Sequence, residues 1–546
     1  MMSPFELFHT FYGSLAVCVV VVFWRISRLG QRPKNYPPGP PTLPIIGNLH
    51  QIPRTKLHLQ FEKWAREYGP VFSLMLGTKV MVVLNSDVAI KDLVDRRGAI
   101  YSSRPDSYIA QDILSGGLRV LLMPNHGVWN MARKLAQRIL NVSAARTYVP
   151  YQDLENKAML LGILDHPNDF VDHLRRYTAS LTTQMTFGFR TVTIHDTRFK
   201  EAFDIFDRSS EMIGSRIASF LDLLPILRNL PELLLPIKKA GRALHQRELR
   251  LFKGLYLRAK QGLQDGTAKP CVCVDLLRLQ KGEKFSDDLA GYLMGSLLQA
   301  GSETTSSILV AFVQAMVIFP NVAKIAQAEL DRVCGDLVPD LNDVPNLPYI
   351  RACAKESMRW MPVFLLGIPH AVTQDDIYQG YLIPQGAAVI MNIWAVHNDP
   401  KRHPDPRTFD PARYANDSLS SIDSANNPDA TKRDHFAFGA GRRRCQGMHI
   451  ADRSIYLAIS RLLWAFDFKR AIEPKTGQEV VPDMDDLVDG FMALPKPFPA
   501  NICPRSPERA ECVRREWEQV SKLLDEDGQW EVVPEGLIWK DEQHVD

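Results

Sequence analysis

The chain predicts a mainly α fold with smaller β sheets, preceded by one N-terminal transmembrane helix. Three observations carry that reading. An uncharged apolar run lies near the N-terminus, helical periodicity fills long stretches of the body, and short β-rich pieces are bounded by turn residues. The composition, 45% hydrophobic and 23% charged, is globular and not disordered. With 65 basic against 62 acidic residues, the net charge of +3 gives no reason to expect nucleic-acid binding. Eight cysteines in 546 residues are too sparse for a disulfide scaffold. They form no C-x-x-C pair, so a zinc site has no support, and no Walker-type phosphate loop occurs.

The elements follow in order. Residues 11–24 read FYGSLAVCVVVVFW, and with Phe5, Leu7 and Phe8 the apolar stretch approaches the ~20 residues a spanning helix needs. No Lys or Arg precedes this run, whereas Arg25, Arg28, Arg32 and Lys34 follow it. That order suits an uncleaved anchor with a cytosolic body better than a cleaved signal peptide. Residues 1–25 are therefore read as the anchor and 26–41 as a basic, Pro-rich linker. Its YPPGPP segment at 36–41 makes a semi-rigid spacer. Residues 42–505 show no composition break and read as one large domain. A hairpin is expected around Gly77-Thr78, and helices near 127–141, 171–189, 199–213, 236–263, 286–318 and 321–334. Short β and turn material is expected at 363–415. Residues 214–235 are Leu-rich and broken by Pro225 and Pro231, which fits either ordinary core or a surface element dipping into a bilayer. Residues 506–546 form an acidic tail with its own helical stretch around 510–524, packed or frayed.

The residues that bear chemistry cluster late in the chain. Residues 438–447 read FGAGRRRCQG and fit F-x-x-G-x-R-x-C-x-G at every fixed position, a chance match of roughly 10⁻⁴ from average usage. Here the chain resembles the cytochrome P-450 family of heme-thiolate monooxygenases, and in particular fungal microsomal members that tailor secondary metabolites. The resemblance covers roughly residues 36–505 and implies the P-450-type fold, heme b as cofactor and Cys445 as the axial ligand of the heme iron. A thiolate ligand pushes electron density onto iron, and Cys445 stands where a helical pattern begins, a position that favours the thiolate. Gly441 and Gly447 are expected to let backbone amides approach the sulfur and the porphyrin. Arg443 is expected on a heme propionate, and Phe438 against the porphyrin beside the sulfur.

Residues 300–305 read AGSETT in the middle of a long helical stretch. A helix-interior glycine beside an acid and two threonines suggests a local distortion. The alternative is a regular helix with its hydroxyls bonded back to carbonyls. In the resembling family this acid–alcohol pair serves proton delivery, which maps to Glu303 and Thr304 as catalytic residues. An E-x-x-R motif also matches at Glu329 and Glu511, but order relative to the other motifs selects Glu356 and Arg359. They are expected to bind Arg413 of the segment FDPARY, in which Ala412 replaces the family's usual Glu and Tyr414 its usual Phe. Trp129 and Arg133 share one helix face and are further heme-binding candidates, with His370. His370 fits a satisfied core histidine equally well.

Lys134, Arg138, Lys432, Arg433, Arg442 and Arg444 read as a solvated face or, if proximal, as a docking patch for an acidic electron donor. The family's partner is NADPH–cytochrome P-450 reductase, and no flavin or nicotinamide module is visible in this chain. The resemblance implies an endoplasmic-reticulum membrane protein, single-pass, with a cytosolic catalytic domain. It would meet membrane lipid, a lipophilic small-molecule substrate and no nucleic acid. Substrate contacts are expected from residues 105–125, 205–220, 297–301, 363–368 and 491–492, with Phe364, Leu365 and Leu366 equally readable as core. Oxygen insertion is the leading reaction. Oxidative coupling, desaturation or rearrangement without insertion stands as the alternative, and a non-catalytic heme binder as a remote one.

Overall fold

A computed structural model describes residues 18, 20–21, 24–25, 27–280, 285–488 and 492–533. The expected anchor falls almost entirely outside the described residues, as do Phe491 and the end of the acidic tail. The body is mainly helical. Its longer elements are α1 (Leu57–Tyr68), β1 (Val71–Leu76), β2 (Lys79–Leu84), α2 (Gly127–Ile139), α3 (Val149–Asp165), α4 (Phe170–Phe187), α5 (Thr197–Gly214), α6 (Pro236–Gln264), α7 (Asp287–Ile318), α8 (Pro320–Val333) and α9 (Pro348–Trp360). There follow β3 (His370–Ala371), β4 (Asp376–Tyr378), β5 (Tyr381–Ile383), β6 (Ala388–Met391), α10 (Met448–Ala465), β7 (Phe466–Ile472), β8 (Glu479–Val480), β9 (Ala500–Pro504) and α11 (Pro507–Ser521).

Among the described residues, three small sheets flank the helices. β1 and β2 form the expected antiparallel hairpin, and β6 adds parallel to β2 with β3 on its far side. β4 pairs with β5, and β7 lies between β8 and β9. The Pro-rich segment does not stand free as a spacer. Pro38 O accepts from Ser73 N at 2.7 Å, and Arg32 bridges Gly39 O and Pro40 O at 2.7 Å each. A Cβ at Gly39 would lie 2.2 Å from Ser73 O, so glycine is what lets this segment lie on β1.

α7 runs through the middle of the molecule. It is the one helix among the described residues long and apolar enough to cross a membrane, yet it is mostly buried and forms the core. α4 packs along it, and α6, α9 and α10 meet it from other sides. The crossing with α4 is tight: Thr178 Oγ1 donates to Ser302 O at 2.7 Å, and a Cβ on Gly301 would lie 2.7 Å from Thr182 Oγ1. Gly301 thus answers to helix–helix approach. The distortion expected there is absent, since α7 continues unbroken from Asp287 to Ile318.

α3 is buried on several sides at once, and its Glu155 gathers Arg176 (2.6 Å), Arg190 (2.6 Å) and Gln184 (2.7 Å). Burial pushes the Glu155 carboxyl up, but Arg190 and Arg176 outweigh it and hold the group below its ordinary value. The segment after residue 505 packs on this region. Cys512 and Val513 of α11 join the main core, and Trp530 Nε1 donates to Gln184 Oε1 at 2.6 Å.

Candidate active site

A cavity of about 440 Å³ opens between α2, α4, α5, α7, the loop before β3 and the loop before α10. Eight sequence-predicted side chains line it: Trp129, Arg133, Glu303, Thr304, His370, Phe438, Arg443 and Cys445. Gly447 lines it as well. All five expected substrate-contact regions reach it, through residues such as Leu121, Ile213, Ala300, Phe364 and Met492. Leu365 and Leu366 do not; they pack into core clusters instead.

Cys445 sits three residues before α10, its amide donating to Phe438 O at 2.9 Å. Its sulfur is open to the cavity, while protein encloses it on the other sides. Burial pushes the thiol up, and the Gly447 amide and Arg133 pull it down without overcoming burial. The helix start and the nearby cation therefore do not suffice to secure a thiolate; a metal cation at the sulfur would supply the remainder. Gly447 meets the expectation, its amide reaching the sulfur, whereas Gly441 is explained differently. Gly441 has φ +64°, and a Cβ there would lie 2.1 Å from Val94 O, so it fits the chain behind the loop. Its amide donates to Asp95 Oδ1 at 2.6 Å. At Gly447 a Cβ would meet Cys445 Sγ at an ordinary 3.9 Å.

Three guanidiniums converge at one end of the cavity: Arg104, Arg133 and Arg443. None forms an ion pair with a carboxylate among the described residues. Burial, then Arg443 and Arg133, lower Arg104 to about 9; burial, then Arg133, lower Arg443 to about 9. Arg443 lies 4.0 Å over the Trp129 ring and donates to Ser102 O and Met123 O at 2.8 and 2.6 Å, but its buried Nη1 has no partner. His370 Nδ1 lies 2.6 Å from Tyr101 O, and burial, with Arg104 and Arg443 beside it, holds the ring down to about 3. A cluster of cations without anions, beside an orphaned donor, fits a flat ligand carrying two carboxylates. Sequence reasoning missed Arg104. It is a lone arginine in a loop, with no motif around it, held by Ile368 O and Pro369 O at 2.8 and 2.6 Å.

On α7, Glu303 is almost fully buried and its Oε1 has no partner. Burial pushes its carboxyl up to about 7; Arg175 opposes this and Asp207 reinforces it. Thr304 Oγ1 donates to Ala300 O at 2.7 Å, the back-bonded alternative, and still faces the cavity.

Behind the cavity, Glu356 and Arg359 are both fully buried on α9. They form a two-pronged pair, Nε–Oε2 and Nη2–Oε1, each at 2.7 Å. Arg413 Nε joins Glu356 Oε1 at 3.4 Å, and Asp410 N donates to the same oxygen at 2.9 Å. Sequence reasoning also missed His397. Its Nδ1 meets Arg359 O at 2.9 Å and its Nε2 accepts from Phe436 N at 2.8 Å, which ties this pair to the loop bearing Cys445. Of the basic set, Lys134, Arg138, Lys432 and Arg442 are exposed. Arg433 is not free: it is buried and paired with Asp95 at 2.7 Å. Arg444 Nη1 donates to Ala425 O at 3.1 Å.

The cysteine loop, the anion-deficient arginine cluster and the acid–alcohol pair around one cavity define a heme-thiolate oxidoreductase. The comparisons agree. The cytochrome P450 family model matches residues 37–500. Cytochrome P450 monooxygenase fogE of Aspergillus ruber is 63% identical, over 97% of this chain and 98% of its own length. Cytochrome P450 monooxygenase virE of Hypocrea virens is 60% identical over 97% and 96%, and fsoB of Humicola fuscoatra 49% over 95% and 96%. The chain belongs to the cytochrome P450 family, and it is an oxidoreductase that binds heme b.

Proposed function

We propose that this chain is a membrane-anchored monooxygenase that inserts oxygen from O2 into a lipophilic small molecule, an intermediate of fungal secondary metabolism. The observation that carries it is the shared cavity, with Cys445 on one side, Glu303 and Thr304 on another, and mostly apolar walls. Arg104, Arg133 and Arg443 would hold the propionates, with the neutral His370 ring beside them, and Cys445 the iron, with Phe438 beside the sulfur. When bound, heme supplies activation of O2 and oxygen transfer.

The chain's own residues handle the protons. A carboxyl pushed up to about 7 carries a proton at Glu303 in a good fraction of molecules at neutral pH and can release it. Thr304 Oγ1 keeps its lone pairs for a water or proton donor while its own hydrogen goes to Ala300 O. Arg175 and the half-exposed Asp207, which both bear on Glu303, mark the side from which its proton would be replaced. Glu356, Arg359 and Arg413 act structurally, behind the cysteine loop.

Electrons would come from NADPH–cytochrome P-450 reductase, docking through the exposed Lys134, Arg138, Lys432 and Arg442. An endoplasmic-reticulum location, with residues 1–25 spanning once and the catalytic domain cytosolic, rests on the apolar run and the basic residues after it. A second apolar surface supports membrane contact: Ile226 is 78% exposed and Leu233 91%, beside Phe220, Leu224 and Leu234. Leu233→Glu with Leu234→Glu should lower vesicle binding of a chain lacking residues 1–25, measured by flotation.

The deciding experiment is mass spectrometry of products from cells grown under heavy-isotope O2, with the wild-type chain or Cys445→Ala. A product that carries the label and depends on Cys445 supports insertion. A Cys445-dependent product without label would replace it with coupling, desaturation or rearrangement. Heme without any product would favour a binder.

A further inference from the structure

One wall of the cavity carries a polar arrangement that heme binding and proton delivery leave unused. Arg119, in the loop after Gly117, is buried and reaches α6 and α7 together. Its Nη2 bonds both oxygens of Glu248, at 2.9 and 2.8 Å, and its Nη1 donates to Gln299 Oε1 at 2.6 Å. Glu248, itself 1% exposed, also accepts from the Tyr292 hydroxyl at 2.9 Å, and that hydroxyl lies 2.6 Å from His245 Nδ1. The loop is tied down as well: Gln111 donates to Gly117 O at 2.8 Å. The cluster is thus rigid, and its one cation is matched by one anion.

A guanidinium has donors and no acceptor. Gln299 must therefore turn its oxygen to Arg119, which leaves the amide nitrogen as the free end. That nitrogen has no acceptor among the described residues, and Gln299 lines the cavity. Gln299 precedes Glu303 by one helical turn, about 6 Å along α7 and on the same face. An acceptor oxygen held there would be fixed at a set height from Glu303 and Thr304. Because Glu248 already neutralises Arg119, the arrangement suits a neutral oxygen and not a carboxylate.

We infer that Gln299, oriented by Arg119, is a specificity-determining donor that binds a carbonyl or hydroxyl oxygen on an otherwise apolar substrate. The inference rests on the proposed reading of the cavity as the site for a lipophilic substrate. It is tested by binding, without turnover. Heme-loaded wild type and Gln299→Met are titrated with butyrophenone and with butylbenzene, which differ only by a carbonyl in place of a methylene, and the heme absorption shift gives each Kd. Loss of one hydrogen bond should lower the preference for the ketone by about tenfold in Gln299→Met. The hydrocarbon Kd should stay within about twofold, which a general disturbance of the cavity would not allow. An unchanged preference, or a heme-loaded wild type that binds neither probe, overturns the inference. A wild-type chain that takes up no heme overturns the reading beneath it, and the inference with it.

Discussion

Glu356→Ala should cost the protein its heme. The carboxylate takes two fully buried bonds from Arg359 at 2.7 Å, and two partly buried ones, from the Asp410 amide at 2.9 Å and from Arg413 at 3.4 Å. Removing it strands a buried guanidinium, whose remaining bonds are to His397 O at 3.0 Å and Thr408 O at 3.5 Å. Breaking a buried pair from one side costs about 3–5 kcal/mol, and the unpaired Asp410 amide adds about 1–3. The total is comparable with the entire stability of many domains, about 5–15 kcal/mol. The damage also travels, because His397 passes the position of Arg359 to Phe436 and so to the cysteine loop. Glu356→Gln keeps an oxygen for Asp410 but loses the charge, so it should fall between alanine and wild type. The assay is heme content after purification together with urea unfolding, reading the midpoint at constant slope. An alanine variant that keeps full heme and loses less than about 1 kcal/mol would refute the reasoning.

Other outcomes follow from the same geometry. Glu303 carries a carboxyl raised from 4.5 to about 7, so ionising it opposes folding. The native chain binds more protons than the unfolded one across that window, and stability falls as pH rises through it. Glu303→Gln should therefore gain on wild type between pH 4.5 and 7, approaching roughly 3 kcal/mol above it, while coupled turnover drops by about 10²; a pH-independent difference in unfolding midpoint would exclude this. Gly301→Ala should lose about 1–3 kcal/mol through contact with Thr182, and Thr182→Ala should restore much of it in a double-mutant cycle. Trp530→Ala should cost about 3–5 kcal/mol by thermal or urea unfolding, because the ring packs on Tyr151 and its Nε1 bonds Gln184.

What could be read in advance follows physical rules. α4, α5, α6 and α8 each keep an apolar face at helical spacing and α7 is one long, mostly apolar run, and their expected bounds lie within about two residues of those found. α3 gave no such signal. It is enclosed on several sides, and Gln152, Glu155 and Asn156 lie inside with Leu154 and Leu160, so apolar and polar positions do not separate into faces. The motif residues were legible because their chemistry needs close spacing along the chain. Arg104 and His397 were not, and for Arg119 and Gln299 only their place in expected substrate-contact regions was, because each acts through partners from distant segments: Arg104 reaches 264 positions along the chain to Ile368, Arg119 129 to Glu248. Periodicity also explains Gly301 poorly. Its reason is a neighbour on α4, and no single-helix rule contains that neighbour.

The clamp between Trp530 and Gln184 bears on how the protein is made. Residue 530 leaves the ribosome long after α3, α4 and the cysteine loop, so the buried carboxylate of Glu155 waits for this part of its cover until residue 530 has been made. A message cut short between codons 447 and 530 would still encode Cys445, Glu303 and every arginine of the cavity, yet lack the indole that bonds Gln184.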